Sequence, residues 1–221
     1  MINVTKPYLP DIKKYEKYVK LIYKNNWITN NGPLEKELTT RVSEYLGVKN
    51  MVLVANGTLA LSIAYKLLSI KKKVITTPFS FVATASSLLW DSINPFFLDI
   101  DSKTFNLNTK LIEKNIDSDT DAIVPVHTYG NACEIDSIQQ IANRSNLRVV
   151  YDASHTFGVK YKNESILSYG DISTISFHAT KLFHTIEGGA LIVNDDELYD
   201  RAKKIINFGY DGSGMISDLG I

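Results

Sequence analysis

From residue 51 onward, short β-rich runs alternate with amphipathic helical stretches. This rhythm constrains the fold more than any other feature of the sequence. The runs are Met51–Val54, Lys73–Thr77, Pro95–Leu98, Asp121–Pro125, Arg148–Tyr151, Asp171–Ser176 and Gly189–Val193. Helical segments such as Leu59–Leu68 and Ile135–Asn143 lie between them. Such alternation predicts βαβ units and an α/β fold, a seven-stranded, mainly parallel sheet with helices on both faces. The last run follows its predecessor through a link too short for a helix, so it can pair antiparallel at some point in the sheet.

The first 50 residues read as helices. Ile12, Tyr15, Val19, Ile22 and Tyr23 recur at helical spacing after Pro10 and Asp11, a start signal. A turn at Asn30-Asn-Gly-Pro33 leads to a second helix whose Leu34, Leu38, Val42 and Tyr45 share a face, with Gly47 at its C-terminal cap. The chain closes on a glycine-rich stretch, Phe208 to Ile221, without a closing helix, and its glycines predict mobility.

Composition narrows the function. The chain has 221 residues, enough to bury a core as one large domain or at most two. Its 24 Lys and Arg balance 24 Asp and Glu, which provides no field to gather nucleic acid or an anionic membrane surface. The longest apolar run, Phe79 to Trp90, is too short to span a bilayer and carries Ser and Thr. The N-terminus has no apolar signal region, and the lone Cys133 suits a reducing cytosol, so a cytoplasmic protein is expected.

In open α/β sheets, ligands bind beyond the carboxyl ends of the strands. Polar groups follow five of the runs: Asn56-Gly57-Thr58, Pro78–Phe81, His127-Thr128-Tyr129, Asp152–His155 and His178–Lys181. Gly57 and Thr58 open a helix and can seat a phosphate, or Thr58 can simply cap that helix. Asp152 ends an apolar strand, where a carboxylate needs a partner. It can be a metal ligand, a general base, the partner of a cationic ring, or a turn cap. His155 can share that site or serve structure alone. Lys181 is either a solvated lysine or, in a partly apolar pocket, a nucleophilic amine. The Gly188-Gly189 pair is expected to permit a sharp turn. A phosphate seat, a buried carboxylate and a pocket lysine are together what pyridoxal 5′-phosphate (PLP) requires.

These residues resemble a known family. Ala55-Asn-Gly-Thr-Leu-Ala-Leu61, Ile75-Thr-Thr-Pro-Phe-Ser-Phe-Val-Ala-Thr84, Tyr151-Asp-Ala-Ser-His155, Ser176-Phe-His-Ala-Thr-Lys181 and Glu187-Gly-Gly189 occur in the order seen in the DegT/DnrJ/EryC1/StrS sugar aminotransferases. The match runs from about Val4 to the last residue. It implies the aspartate aminotransferase-like large domain (PLP fold type I). Lys181 would form the Schiff base with PLP and move the proton, and Asp152 would pair with the pyridinium nitrogen. Phe81 would stack on the ring. Thr58 and Ser176 would hold the phosphate, with backbone help from Gly57 and Leu59. His155 would lie beside the phenolic oxygen. No metal is implied.

Trp27-Ile-Thr-Asn-Asn-Gly32 and the runs Ile75–Thr84 and Ser176–Gly189 resemble the dTDP-4-amino-4,6-dideoxyglucose synthases within the family. That implies a nucleotide-linked 4-keto-6-deoxyhexose as substrate, L-glutamate as amino donor, a homodimer with a shared site, and a role in O-antigen or other surface glycans. Family members continue past the point matching Asp218-Leu-Gly-Ile221, through an Asn-rich loop and a small C-terminal domain. Residues 1–221 are therefore expected to comprise the N-terminal segment and the PLP-binding large domain, C-terminally truncated. A catalytically impaired remnant or a regulatory protein on the same fold is the alternative. Relatives that remove a hydroxyl carry His where this chain has Lys181, which argues against that chemistry.

Overall fold

The structure, a computed structural model, describes residue 2 and residues 5–221. Met1, Asn3 and Val4, the last being the expected start of the family resemblance, lie outside the described residues. Short-range polar signals set the element ends. Asp11 caps α1 (Ile12–Asn25) by accepting from the Lys13 N–H at 2.8 Å. Pro33 opens α2 (Pro33–Leu46), and Gly47 closes it at φ 67, with its N–H donated to the Glu44 and Ser43 carbonyls. After β1 (Met51–Val54), Asn56 caps α3 (Gly57–Leu67).

The remaining chain alternates as the sequence implies. It runs through β2 (Lys73–Thr76), α4 (Val82–Trp90), β3 (Asn94–Phe97), β4 (Thr120–Ile123), α5 (Ile135–Ser145) and β5 (Arg148–Asp152). A small hairpin, β6 (Lys160–Tyr161) with β7 (Glu164–Ser165), precedes β8 (Ile172–Ser176), β9 (Gly189–Val193) and α6 (Asp196–Ile205). The hairpin is too short to stand out in the hydrophobic pattern, whereas the other strands fall within one or two residues of the expected runs.

The seven long strands form one sheet in the order β1-β9-β8-β5-β4-β2-β3. The pairings make β1, β8, β5, β4, β2 and β3 point one way. β9 is the antiparallel member and pairs with both β8 and β1. Side-chain alternation splits the core in two, because successive residues of a strand face opposite sides. Ala190 and Ile192 of β9 join the cluster beneath α2 and α5, whereas Leu191 and Val193 join the cluster beneath α3 and α6. α3 lies deepest, with Ala60, Leu61, Ile63, Ala64, Tyr65 and Leu67 all buried. Each of its large aliphatic side chains contributes about 1.5–3 kcal/mol by leaving water. α1 forms as expected but buries none of its residues. No helix among the described residues is long and apolar enough to cross a membrane.

One expectation is corrected. The glycine-rich ending is docked. Arg201 on α6 pairs with Asp218, the Ile221 N–H donates to the Ile205 carbonyl at 2.9 Å, and Asp211 accepts the N–H groups of Ser213 and Met215. The Gly188-Gly189 pair, neither residue of which has a positive φ, also serves a close approach that the sequence does not reveal. A Cβ on Gly189 would lie 2.5 Å from the Asn56 carbonyl carbon and 2.7 Å from the Gly57 nitrogen. Gly189 thus lets the start of β9 touch the first turn of α3. Gly189→Ala is expected to cost about 1–3 kcal/mol through overpacking against main chain. Urea unfolding measures it, and an unchanged midpoint would contradict this account of the contact.

Candidate active site

Because β1, β2, β4, β5 and β8 are parallel, their carboxyl ends open on one side of the sheet. A cavity of about 790 Å³ lies there. Gly57, Thr58, Phe81, Asp152, His155, Ser176 and Lys181 all line it, so seven of the eight candidate residues meet at one site. Leu59 is the exception. It is absent from the cavity wall, and its N–H donates to the Asn56 side-chain oxygen at 2.8 Å. The expected backbone help from Leu59 is therefore spent within the helix.

The same hydrogen bond settles what Thr58 does not do. Asn56 is the cap, so the Thr58 hydroxyl is released from capping. The N–H groups of Gly57 and Thr58 have no hydrogen-bond partner among the described residues. Unpaired donors at the N-terminus of an 11-residue helix, with its dipole behind them, suit an anion. Ser176 closes this corner. A Cβ on Gly57 would sit 3.0 Å from that of Ser176, so the glycine brings the helix end against the end of β8.

Asp152 is 5% exposed at the last position of β5. Its Oδ2 accepts from the Thr84 hydroxyl at 2.7 Å, and its Oδ1 accepts from the Ser154 N–H at 3.1 Å. Lys181 follows β8 in an irregular loop and is half-buried. Burial lowers its pKa below the ordinary 10.5, and the Asp152 carboxylate partly opposes that shift. His155 lies at the rim, its ring parallel to that of Tyr129 at 6.4 Å. Partial loss of water and then the charge on Lys181 lower its pKa, while Asp152 pulls it up. Phe81, 73% exposed, presents its ring at the mouth just before α4. Among the described residues no cluster of His, Cys, Asp and Glu could hold a metal.

Thr84 escapes sequence reasoning as a site residue, whereas His127 is among the polar groups that follow the strands but is assigned no role there. Thr84 is a fully buried residue in the first turn of α4, and only a hydroxyl inside an apolar run hints at it. His127 stands after β4, 1% exposed, stacked on Tyr151 at 4.5 Å. Its Nδ1 accepts from the Cys133 N–H at 3.1 Å, which leaves the proton on Nε2, and Nε2 has no partner among the described residues. Burial lowers its pKa from 6.5 to about 3. The folded chain therefore keeps His127 neutral where the unfolded chain protonates it, and stability falls as pH drops from 6.5 toward about 3. His127→Gln is expected to lose less unfolding free energy than the parent between about pH 7 and about pH 4.5. Equal acid sensitivity in denaturant titrations would contradict this.

The residues present fit PLP. They offer unpartnered N–H donors for a phosphate, a fixed buried carboxylate for a ring nitrogen, and an amine of lowered pKa. Comparisons with known proteins agree in kind. The chain is 46% identical over 219 residues to the dTDP-4-amino-4,6-dideoxy-D-glucose transaminase of Shigella dysenteriae, covering 99% of this chain and 60% of that protein. The chain thus spans about 60% of that relative's length. It superposes on DesI, solved in the presence of its TDP-sugar product, with TM-score 0.93 and 32% identity, over 99% of this chain and 56% of that one. It also matches the PLP form of a putative sugar aminotransferase of Streptococcus pneumoniae with TM-score 0.89 and 26% identity, over 99% and 62%. The sequence profile of the DegT/DnrJ/EryC1/StrS aminotransferase family matches residues 11–217, and the chain belongs to that family.

Proposed function

We propose that the cavity binds PLP and serves transamination of a nucleotide-linked 4-keto-6-deoxyhexose of the dTDP-4-keto-6-deoxyglucose kind. L-Glutamate would be the amino donor, the setting the cytoplasm, the assembly a homodimer, and the product a precursor of O-antigen or another surface glycan. The observation that carries the reading is the convergence of Lys181, Asp152 and the open N-terminus of α3 on one cavity. The name of the Shigella relative and the sugar product in the DesI structure support the substrate class.

Bound there, PLP would supply an electron-accepting ring that carries the amino group from donor to acceptor. The chain's own residues account for the rest. The Gly57 and Thr58 N–H groups, the Thr58 hydroxyl and Ser176 would hold the phosphate. Asp152, held by Thr84 and Ser154, would accept from the ring N–H and keep the nitrogen protonated. Phe81 would cover one ring face and exclude water. His155 would lie near the phenolic oxygen. The Lys181 Nζ would hold the cofactor covalently and carry the proton at the reacting carbon, a task helped by burial that favours the neutral amine.

Lys181→Ala is expected to abolish transamination, because only a primary amine can make that bond. Borohydride reduction of the PLP-loaded chain followed by peptide mapping is expected to place the pyridoxyl group on Lys181, and a label on another lysine would overturn the assignment. The rate of loading with PLP is expected to rise with pH as Lys181 loses its proton, through a midpoint below that of an ordinary lysine. Asp152 raises the Lys181 pKa, so Asp152→Asn is expected to move that midpoint to lower pH. A midpoint that stays or rises would contradict the coupling.

A further inference from the structure

Behind Asp152, the buried hydroxyl of Thr84 meets the carboxylate directly, and the buried hydroxyls of Ser87 and Tyr65 lie behind the Thr84 main chain. Thr84 is fully buried and donates from Oγ1 to Asp152 Oδ2 at 2.7 Å, across 68 residues of sequence. The Ser87 hydroxyl donates to the Thr84 carbonyl at 3.3 Å, and Ser87 Oγ lies 3.4 Å from the hydroxyl of buried Tyr65. Oδ1 of Asp152 is fixed independently by the Ser154 N–H at 3.1 Å.

We propose that Thr84 is a positioning residue. Its hydroxyl fixes the plane of the Asp152 carboxylate and so determines how strongly the site distinguishes a protonated pyridine nitrogen from any other ring atom. This inference rests on the PLP reading above. A carboxylate held at one oxygen alone can rotate about its Cβ–Cγ bond, because that terminal torsion is soft. Held at both oxygens, it keeps a free lone pair on each in a set direction. The donor is charge-assisted and has no access to water, the setting in which such a bond is strongest. α4 supplies it from the first turn, where the Thr84 N–H is tied to the Phe81 carbonyl at 3.1 Å. The element that carries Phe81 thus also sets the carboxylate beneath it.

The test compares binding of PLP with binding of its 1-deaza analogue, in which carbon replaces the ring nitrogen. The full 221-residue chain, Thr84→Val and Thr84→Ser are each titrated by absorbance and fluorescence. The parent is expected to prefer PLP. Thr84→Val, nearly isosteric, is expected to shrink that preference by about tenfold, the scale of one hydrogen bond to a charged group. Thr84→Ser, which keeps the hydroxyl, is expected to restore it to within about twofold. A loss of fold would weaken both ligands alike, and circular dichroism of Thr84→Ser and Thr84→Val identifies it. Should Thr84→Val retain the parent's preference, or Thr84→Ser fail to restore it while folded, the positioning role is wrong. A parent chain that binds neither ligand, or binds both equally, would instead overturn the PLP reading.

Discussion

The structure turns on one buried carboxyl group. Asp152 ends a strand whose preceding residues Val149, Val150 and Tyr151 are almost wholly buried, and it remains only 5% exposed itself. Placing a carboxylate there is costly unless hydrogen bonds replace water. The fold meets that requirement from two directions, the Thr84 hydroxyl on α4 and the Ser154 N–H of its own strand's continuation. The segment that follows β4 adds main-chain support, with the His127 N–H donating to the Asp152 carbonyl at 3.0 Å. α4 and the segment after β4 are therefore both registered on one residue of β5.

The opposite corner depends on packing and not on polar contacts. α3 is buried around most of its girth, so its N-terminus cannot shift without disturbing both the sheet and α6. Gly57 against Ser176 and Gly189 against Asn56 bring that end within van der Waals contact of β8 and β9. Because Asn56 takes the Leu59 N–H, the helix is already capped, yet its two leading N–H groups remain open. A site set by buried elements in this way is formed before any ligand arrives, which lowers the ordering cost of binding.

Much of this was legible in the sequence because strand and helix periodicities are local. The seven long strands and the helical cap at Gly47 follow from hydrophobic pattern and turn chemistry. The gathering of Asp152, Ser176, Lys181 and Thr58 follows from strand ends sharing one side of a parallel sheet. What escaped is non-local. Thr84 reads as a polar interruption in an apolar run until β5 brings Asp152 beside it. The choice of Asn56 over Thr58 as cap depends on side-chain geometry that spacing does not reveal. The docked ending escaped for the same reason, since Arg201 and Asp218 meet only after the chain doubles back.

The most direct measurement is a crystal structure of the chain soaked with PLP. The account predicts the phosphate on the N–H groups of Gly57 and Thr58 beside Ser176, the ring nitrogen within hydrogen-bond distance of Asp152, and the Lys181 Nζ joined to the cofactor's C4′ carbon. A cofactor whose phosphate sits away from the α3 N-terminus, or whose ring nitrogen faces anything other than Asp152, would contradict it.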